Sequence, residues 1–421
     1  MHKNEPMKIN KTVASFVAAS LLMTASCHQP GGHQEASSSQ DYDQGSFGYD
    51  LAFLKKEDSG VVVLKAGNGQ NEVLVSPKYQ AKVFTSTARG AGGQSFGWVN
   101  YKAFSGAPDA HMNAYGGENR FWLGPEGGKY SLFFKPGTKM VFDNWVTPAP
   151  FDTQPWEVAS QADTTSVTLH KDMTLENYRG TQLAIGVDRT ITILGKETIA
   201  DRLGLQPGDS VAAVGYQSDN VITNKGNFDW TEKTGMPCIW ILDMFNPSAK
   251  TVIVIPFHPL TAKGQQVATT NYFGEIPPDR IRYTDSVLYF KADGKSRGKL
   301  GLSPMRAKGV AGSYDPDHHV ITVLSCDIDP NGRYLNQEWD TVKAVFSGDA
   351  QNAYNDGPLA DGSQMGPFYE MESVSPAAAL KAGASLSHSQ SVFHFTGPDR
   401  ELDAISRHLF GVPLDSIRNA F

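Results

Sequence analysis

The chain has 421 residues, 40 % of them hydrophobic and 19 % charged, with 41 glycines, 24 prolines and a formal net charge of −7. That length and apolar content suffice for one large core or two ordinary ones and exclude general disorder. The acidic balance, without a basic cluster, argues against nucleic acid as a partner, because phosphate repels an anionic surface.

At the N-terminus, Lys8 and Lys11 precede the apolar segment TVASFVAASLLMTA, residues 12–25. It is too short to span a bilayer as a helix and has the length of a signal-peptide core. The small residues Thr24, Ala25 and Ser26 stand directly before Cys27, the pattern of a lipoprotein signal in which the cysteine is acylated and becomes the new N-terminus. The expectation is a signal peptide over residues 1–26, a lipid on Cys27 and a polar, flexible tether over residues 27–47. The protein then sits in the cell envelope, on the periplasmic or outer-membrane face, and meets the membrane only through its lipid; ordinary export with Cys27 lost or free is the alternative. Cleavage removes three Lys and one Glu, which leaves 34 basic and 43 acidic residues and a net charge of −9.

From Gly48 onward, strand signals follow one another: SGVVVLKAG, NEVLVSP, KYQAKVFTST, KYSLFFKPG, TSVTLHKDMTLEN and LAIGVDRTITILG. Short runs of β-branched and aromatic residues, broken by Gly, Asn, Asp or Pro, predict a mainly β protein. Residues 163–195 carry no helical period and suit an extended meander in a large sheet. Helices are few. ETIADRLGL, residues 197–205, stops at a Gly-Leu-Gln-Pro-Gly sequence and reads as a short connector, and DRELDAISRHLFG, after Pro398, spaces Leu402, Ile405 and Leu409 helically and ends at Gly411. No fixed repeat or clear linker separates Gly48 from Pro398, which favours one large β architecture over two domains.

Several segments carry chemistry-bearing residues. In GGENRFWLGPEGG, residues 116–128, a strand places Glu118, Arg120 and Trp122 on one face, and Gly124-Pro125 then redirects the chain and re-aims Glu126. Arginine is a fixed donor fork for which Glu126 is a candidate partner; an ordinary turn is the competing reading. DIDPNGRYLNQE, residues 327–338, satisfies the calcium-loop pattern D-x-[DN]-x-[DN]-G-x5-E. It follows a strand rather than a helix, so a tight turn through Pro330-Asn331-Gly332 competes with calcium there, and no other metal or cofactor is expected. GDAQNAYNDGPLADG, residues 348–362, offers Asn352, Asn355 and Asp356 to hydroxyl groups or forms a turn. In PFYEMESVSP, residues 367–376, a strand sets Glu370 and Glu372 on one face about 6.6 Å apart, where two acids raise each other's pKa. Trp145, Trp156 and Trp230 are candidates for stacking on a sugar or for packing. The histidines are scattered and form no triad or H-E-x-x-H motif. Cys238 and Cys326 either pair in an oxidising compartment or remain buried free thiols.

Together, GGENRFWLGPEGG, SDNVITNKGNFDWTEKTG with IWILDMFNPS, and NAYNDGP with PFYEMESVSPAAALKAGASLSH resemble the galactose mutarotase-like superfamily, and within it uncharacterised lipoproteins of glycan-using bacteria. The resemblance implies a large antiparallel β-supersandwich over residues 48–398 with few short helices, followed by a helical segment over residues 399–421. In mutarotases a late glutamate is the general base and a histidine the general acid. Glu372 matches that glutamate, with Glu370 the neighbouring alternative. The family's N-x-T-N-H segment is matched by Asn220, Thr223 and Asn224, with Lys225 where the histidine should be, and Tyr115 stands where the other histidine precedes the Gly-Gly pair. These departures count against ordinary aldose 1-epimerase activity. The resemblance thus implies carbohydrate binding in a concave cleft through Arg120, Trp122, Glu126, Asn224, Asn355, Glu370 and Glu372. The alternatives are a sugar epimerase or lyase with Glu372 as base and Lys225 or Arg120 as acid, and an envelope scaffold without a small ligand.

Overall fold

The computed structural model describes residues 42–67, 69–259 and 265–421. The expected signal peptide, the lipidation site Cys27 and most of the tether lie outside the described residues. Among the described residues no helix is long and apolar enough to cross a membrane.

The architecture is a large antiparallel β-sandwich with few short helices. One sheet has ten strands, a second five and a third three. The centre of the ten-stranded sheet is built from Val320–Cys326, Ser385–Thr396, Ala212–Asn224 and Gln182–Ile193, each antiparallel to the next. The predicted meander is there, as Ser166–Glu176 paired with Gln182–Ile193. The five-stranded sheet runs in the order Gly298–Leu302, Gln351–Asn355, Tyr369–Val374, Cys238–Phe245, Arg120–Gly124. Val62–Ala66, Asn71–Ser76 and Lys82–Thr87 make the small sheet.

Burial patterns explain the two kinds of strand sequence. Cys238–Phe245, CIWILDMF, is buried at every position because both faces of the five-stranded sheet are covered; a strand of that kind reads as a continuous apolar run. Gln182–Ile193 alternates over much of its length because one face of the ten-stranded sheet is partly open. Behind that sheet, Asp399–Phe410 packs Leu402, Ile405 and Phe410 against Val254, Tyr314 and Phe395. The fit is close at Gly312, where an added Cβ would lie 2.1 Å from the Phe410 ring. The helix ends at Gly411, left-handed at φ 75° as its predicted stop requires, and the connector helix is Lys196–Leu203.

Two segments differ from expectation. KYSLFFKPG is not a strand: Tyr130, Leu132, Phe133 and Phe134 are buried in a loop, whose backbone is satisfied locally by bonds such as Leu132 N–H to Pro125 O at 3.1 Å. A dense aromatic run signals burial, and here side-chain packing supplies it without a ladder. A helix, Phe47–Glu57, begins where strands were expected. Its N-cap Ser46 accepts from Tyr49 N–H at 3.4 Å, and Phe47 and Leu54 bury one stripe seven residues apart. A single narrow stripe is a weak periodic signal in sequence.

Candidate active or binding cleft

Side-chain parity divides the five-stranded sheet into two chemically different faces. Toward the ten-stranded sheet point Asp243, Ser373 and Tyr369: Gln390 Nε2 donates to Asp243 at 2.6 Å, Ser373 Oγ lies 2.8 Å from His388 Nε2, and Tyr369 OH lies 2.7 Å from Ser313 Oγ. The other face carries Arg120 and Trp122 on the edge strand, Trp240, Leu242 and Met244 on the next, then Glu370 and Glu372, then Tyr354, and Lys299 on the far edge.

Two buried ion pairs cross this second face diagonally. Arg120 lies in register with Leu242 and Glu372, yet its guanidinium bonds to Glu370. Lys299 lies in register with Tyr354 and Glu370, yet its ammonium sits 2.9 and 3.1 Å from the two oxygens of Glu372. Each cation reaches over an intervening strand, a span of about 9–10 Å between backbones that only a long side chain bridges. Aromatic rings lie beneath: the Arg120 guanidinium is 5.3 Å from the Trp122 ring centre and the Lys299 ammonium 4.6 Å from that of Trp240. Trp240 also donates its indole N–H to Glu372 Oε2 at 2.8 Å. Glu372 is therefore fully buried with both oxygens engaged.

In front of these pairs is a cavity of about 90 Å³, lined among others by Arg120, Trp122, Glu126, Arg297, Lys299 and Glu370. Burial pushes the Glu126 and Glu370 carboxyls up; the Arg120 and Lys299 charges pull Glu370 back only in part, and it stands at about 7. Glu126 is fixed by its own backbone N–H, which donates to Gln337 Oε1 at 3.1 Å. Three cations, Arg120, Arg297 and Lys299, stand against Glu126 and Glu370 in the wall and Glu372 behind it.

The fold brings together Arg120, Trp122, Glu126 and Glu370, with Glu372 behind them, and leaves out the other sequence-derived candidates. Glu118 does not share the face of Arg120: it turns between the sheets, where Ser86 Oγ donates to it at 2.7 Å and His394 Nε2 lies at 2.8 Å. Glu118 precedes the strand: Glu118 N–H and Asn119 N–H bond to Phe84 O and Val83 O of the small sheet, and pairing with Cys238–Phe245 begins only at Arg120. Asn355 has the opposite parity to Tyr354; it accepts from Gly294 N–H at 2.9 Å and donates to Ser296 O at 2.9 Å, holding a turn. Asn224 likewise ties a loop, to Phe228 O at 2.9 Å and Leu380 O at 3.2 Å. Lys225 is exposed at the end of a strand of the ten-stranded sheet, against Gly186; the lysine on Glu372 is Lys299. Tyr115 packs with Tyr79 and Phe104 in another cluster.

Of the tryptophans, Trp145 lines the cavity, whereas Trp156 and Trp230 are buried packing residues. No histidine is among the described residues lining the inner cavity. The calcium-like loop is a turn, Gly332 N–H to Asp329 O at 3.0 Å, with Asp329 Oδ1 taken by Asn331 N–H and Glu338 paired with Lys343 at 2.5 Å. Among the described residues no group of three or more His, Cys, Asp or Glu side chains is placed to hold a metal. Cys238 and Cys326 are both free, and burial pushes the Cys238 thiol up to about 12.

Lys299 and Arg297 went unnoticed in the sequence. Their signal is modest: two cations two residues apart in SRGKLGL, so of one parity in a strand, with Gly298 between them.

Comparison with known proteins gives a family and a set of distant folds. A family model described as a family of unknown function, DUF6786, matches residues 45–421. No curated protein matches the chain. Among solved structures, the chain is similar to the Slr1438 protein from Synechocystis sp. PCC 6803, at 13% identity and a TM-score of 0.49, over 80% of this chain and 96% of that one. It is similar to a galactose mutarotase-like protein from Lactobacillus casei, at 12% identity and a TM-score of 0.46, over 80% of this chain and 100% of that one. It is also similar to a galactose mutarotase related enzyme from Lactobacillus acidophilus, at 9% identity and a TM-score of 0.42, over 80% and 97%. The last two carry the name of the group that the sequence resembles; none of the likenesses assigns a role to a residue of this chain.

Proposed function

The chain belongs to the DUF6786 family, and we propose that it is a carbohydrate-binding protein whose ligand is held at the ion-paired, aromatic face of the five-stranded sheet. The observation that carries this reading is the Arg120–Glu370 pair set over the Trp122 ring and opening into a cavity with Glu126 and Lys299. Fixed charged donors and acceptors hydrogen-bond hydroxyl groups, and aromatic surfaces take up the apolar faces of a sugar ring. In the same reading the protein is exported and anchored through Cys27, which rests on the leader pattern in the sequence. Calorimetric titration with a panel of neutral glycans tests the site: binding by the wild type, weakened about tenfold or more in Arg120→Met and in Lys299→Met, is the expected result. Absence of binding to the whole panel, or equal binding by both variants, removes it.

A second reading is favoured by one observation: Glu126 and Glu370 line the same cavity, and burial pushes both toward their proton-holding forms. A carboxyl with a pKa near neutrality gives and takes protons efficiently. A sugar-modifying enzyme with this pair as acid and base would lose its turnover in Glu370→Gln while keeping its ligand. Glu372, both oxygens of which are engaged, then serves to place Lys299 and Trp240.

A further inference from the structure

We infer that the cleft receives a chain of neutral sugar units, with one end unit at the inner cavity and the following units in an outer groove that adjoins it across Met112, Trp145 and Met365. The inference rests on the carbohydrate reading of the inner site and adds the size and charge class of its ligand.

Size is the first argument. The inner cavity measures about 90 Å³, and the groove beside it about 780 Å³. Sites for small ligands commonly enclose about 300–1,000 Å³. The charged cavity is thus too small to enclose a whole ligand of ordinary size, while the groove has room for one. Met112, Trp145 and Met365 line both spaces, so whatever fills the groove meets the charged residues only across these three side chains. Two of the three are methionines, unbranched and able to adapt to what passes between them.

The second argument is the chemistry of that boundary. Trp145 is buried, yet its indole N–H has no hydrogen-bond partner among the described residues. That nitrogen is closed off from solvent, so what Trp145 offers at the junction is its ring and not a free donor. The ring itself stacks between Phe133, at 5.8 Å and 11°, and Phe142, at 6.1 Å and 19°. Phe142 lines the groove and is 57% exposed; Leu359 and Met365 line it too, 47% and 41% exposed. An aromatic ladder running from solvent to a charged cavity matches a chain of rings, each with an apolar face and a polar rim.

Charge selects the class. The chain as a whole carries −7, so a polyanionic glycan is repelled at long range.

The test is calorimetric titration of the wild type with malto-, cello-, manno- and galacto-oligosaccharides of one to six units, repeated on Phe142→Ala and Leu359→Ala, both in the lining of the groove. Both side chains are exposed, so neither substitution empties the core. At least one ladder is expected to bind about tenfold or more tightly at three units than at one, and Phe142→Ala to flatten that gain. If a single sugar binds as tightly as the longest chain and both variants leave the ladder unchanged, the inference falls while the inner site stands. If no member of any ladder binds, both fall. If reduced, carboxymethylated α-lactalbumin binds and none of the glycans displaces it, the groove is a peptide site and the inference is overturned.

Discussion

Removing the ammonium of Lys299 should damage the fold more than removing both members of its pair. Glu372 is fully buried, with side-chain exposures of 8% for the lysine and 0% for the glutamate, and its donors are Lys299 and the Trp240 indole. Lys299→Met keeps an unbranched side chain out to Cε but removes the ammonium and its contact over the Trp240 ring, and leaves the carboxylate with one neutral donor. Breaking a buried pair from one side costs about 3–5 kcal/mol, whereas replacing both charges with neutral groups of similar volume is often close to neutral. The expectation is a loss of about 3–5 kcal/mol in Lys299→Met, and a smaller loss in the double variant Lys299→Met, Glu372→Gln, in which no charge remains stranded. Urea unfolding followed by both tryptophan fluorescence and far-ultraviolet circular dichroism supplies the free energies, provided that the two transitions coincide. A single variant within about 0.5 kcal/mol of wild type, or a double variant no more stable than the single, would falsify the argument that this pair is desolvated and mutually dependent.

Three further perturbations address other parts of the molecule. Gly312→Ala drives a methyl group into the Phe410 ring, 2.1 Å away in the present packing, and should cost about 1–3 kcal/mol in thermal or urea unfolding; an unchanged midpoint would mean that the C-terminal helix is loosely docked. Asn224→Ala removes three bonds, to Phe228 O, Leu380 O and from Gly226 N–H, and should cost about 1–3 kcal/mol, while Lys225→Ala, on the surface, should stay within about 0.5 kcal/mol of wild type and leave glycan affinity unaltered; loss of affinity in Lys225→Ala would place that lysine in the site after all. Glu370, with its ordinary value at 4.5 and its folded value at about 7, holds its proton longer in the folded than in the unfolded chain. Between those pH values the folded state binds more protons, so this group makes stability fall as pH rises, and Glu370→Gln should flatten that fall; a steeper fall in the variant has the wrong sign.

The sequence made the β class, the two predicted helices and one face of the site legible for a common reason: each is a short-range periodicity. Glu370 and Glu372 share a face because they are two apart in a strand, as are Arg120 and Trp122, and no tertiary knowledge is needed to see either pair. What was illegible depends on which strands become neighbours. Lys299 joins the site only because Gly298–Leu302 and Gln351–Asn355 pair and put it within reach of Glu372, and Lys225 leaves it because its strand belongs to the other sheet. Glu118 shows the limit of the parity argument itself, since residues 118 and 119 bond to the small sheet and only from Arg120 does the chain join the strand on which the argument rests.

Parity plus neighbour order also decides which glutamate meets a ligand. Both carboxylates face the same way, but Glu372 stands behind Lys299 and Trp240, while Glu370 stands against Arg120 at the cavity wall. The residue that matches the superfamily's base by local sequence is therefore the one shielded by its partners, and the neighbour two positions earlier, itself buried, stands at the cavity wall. A diagonal exchange of partners produces this outcome. If each cation bonded the glutamate in its own register, Arg120 would take Glu372 and Lys299 would take Glu370. Swapping the positions of the two acids' partners through Arg120→Lys with Lys299→Arg tests how far the exchange is set by cation geometry: a planar fork and a point charge are not interchangeable at a buried carboxylate, so this charge-conserving double variant is expected to lose binding at the cavity although every formal charge is retained. Full retention of binding would show that the register, and not the identity of each cation, fixes the site.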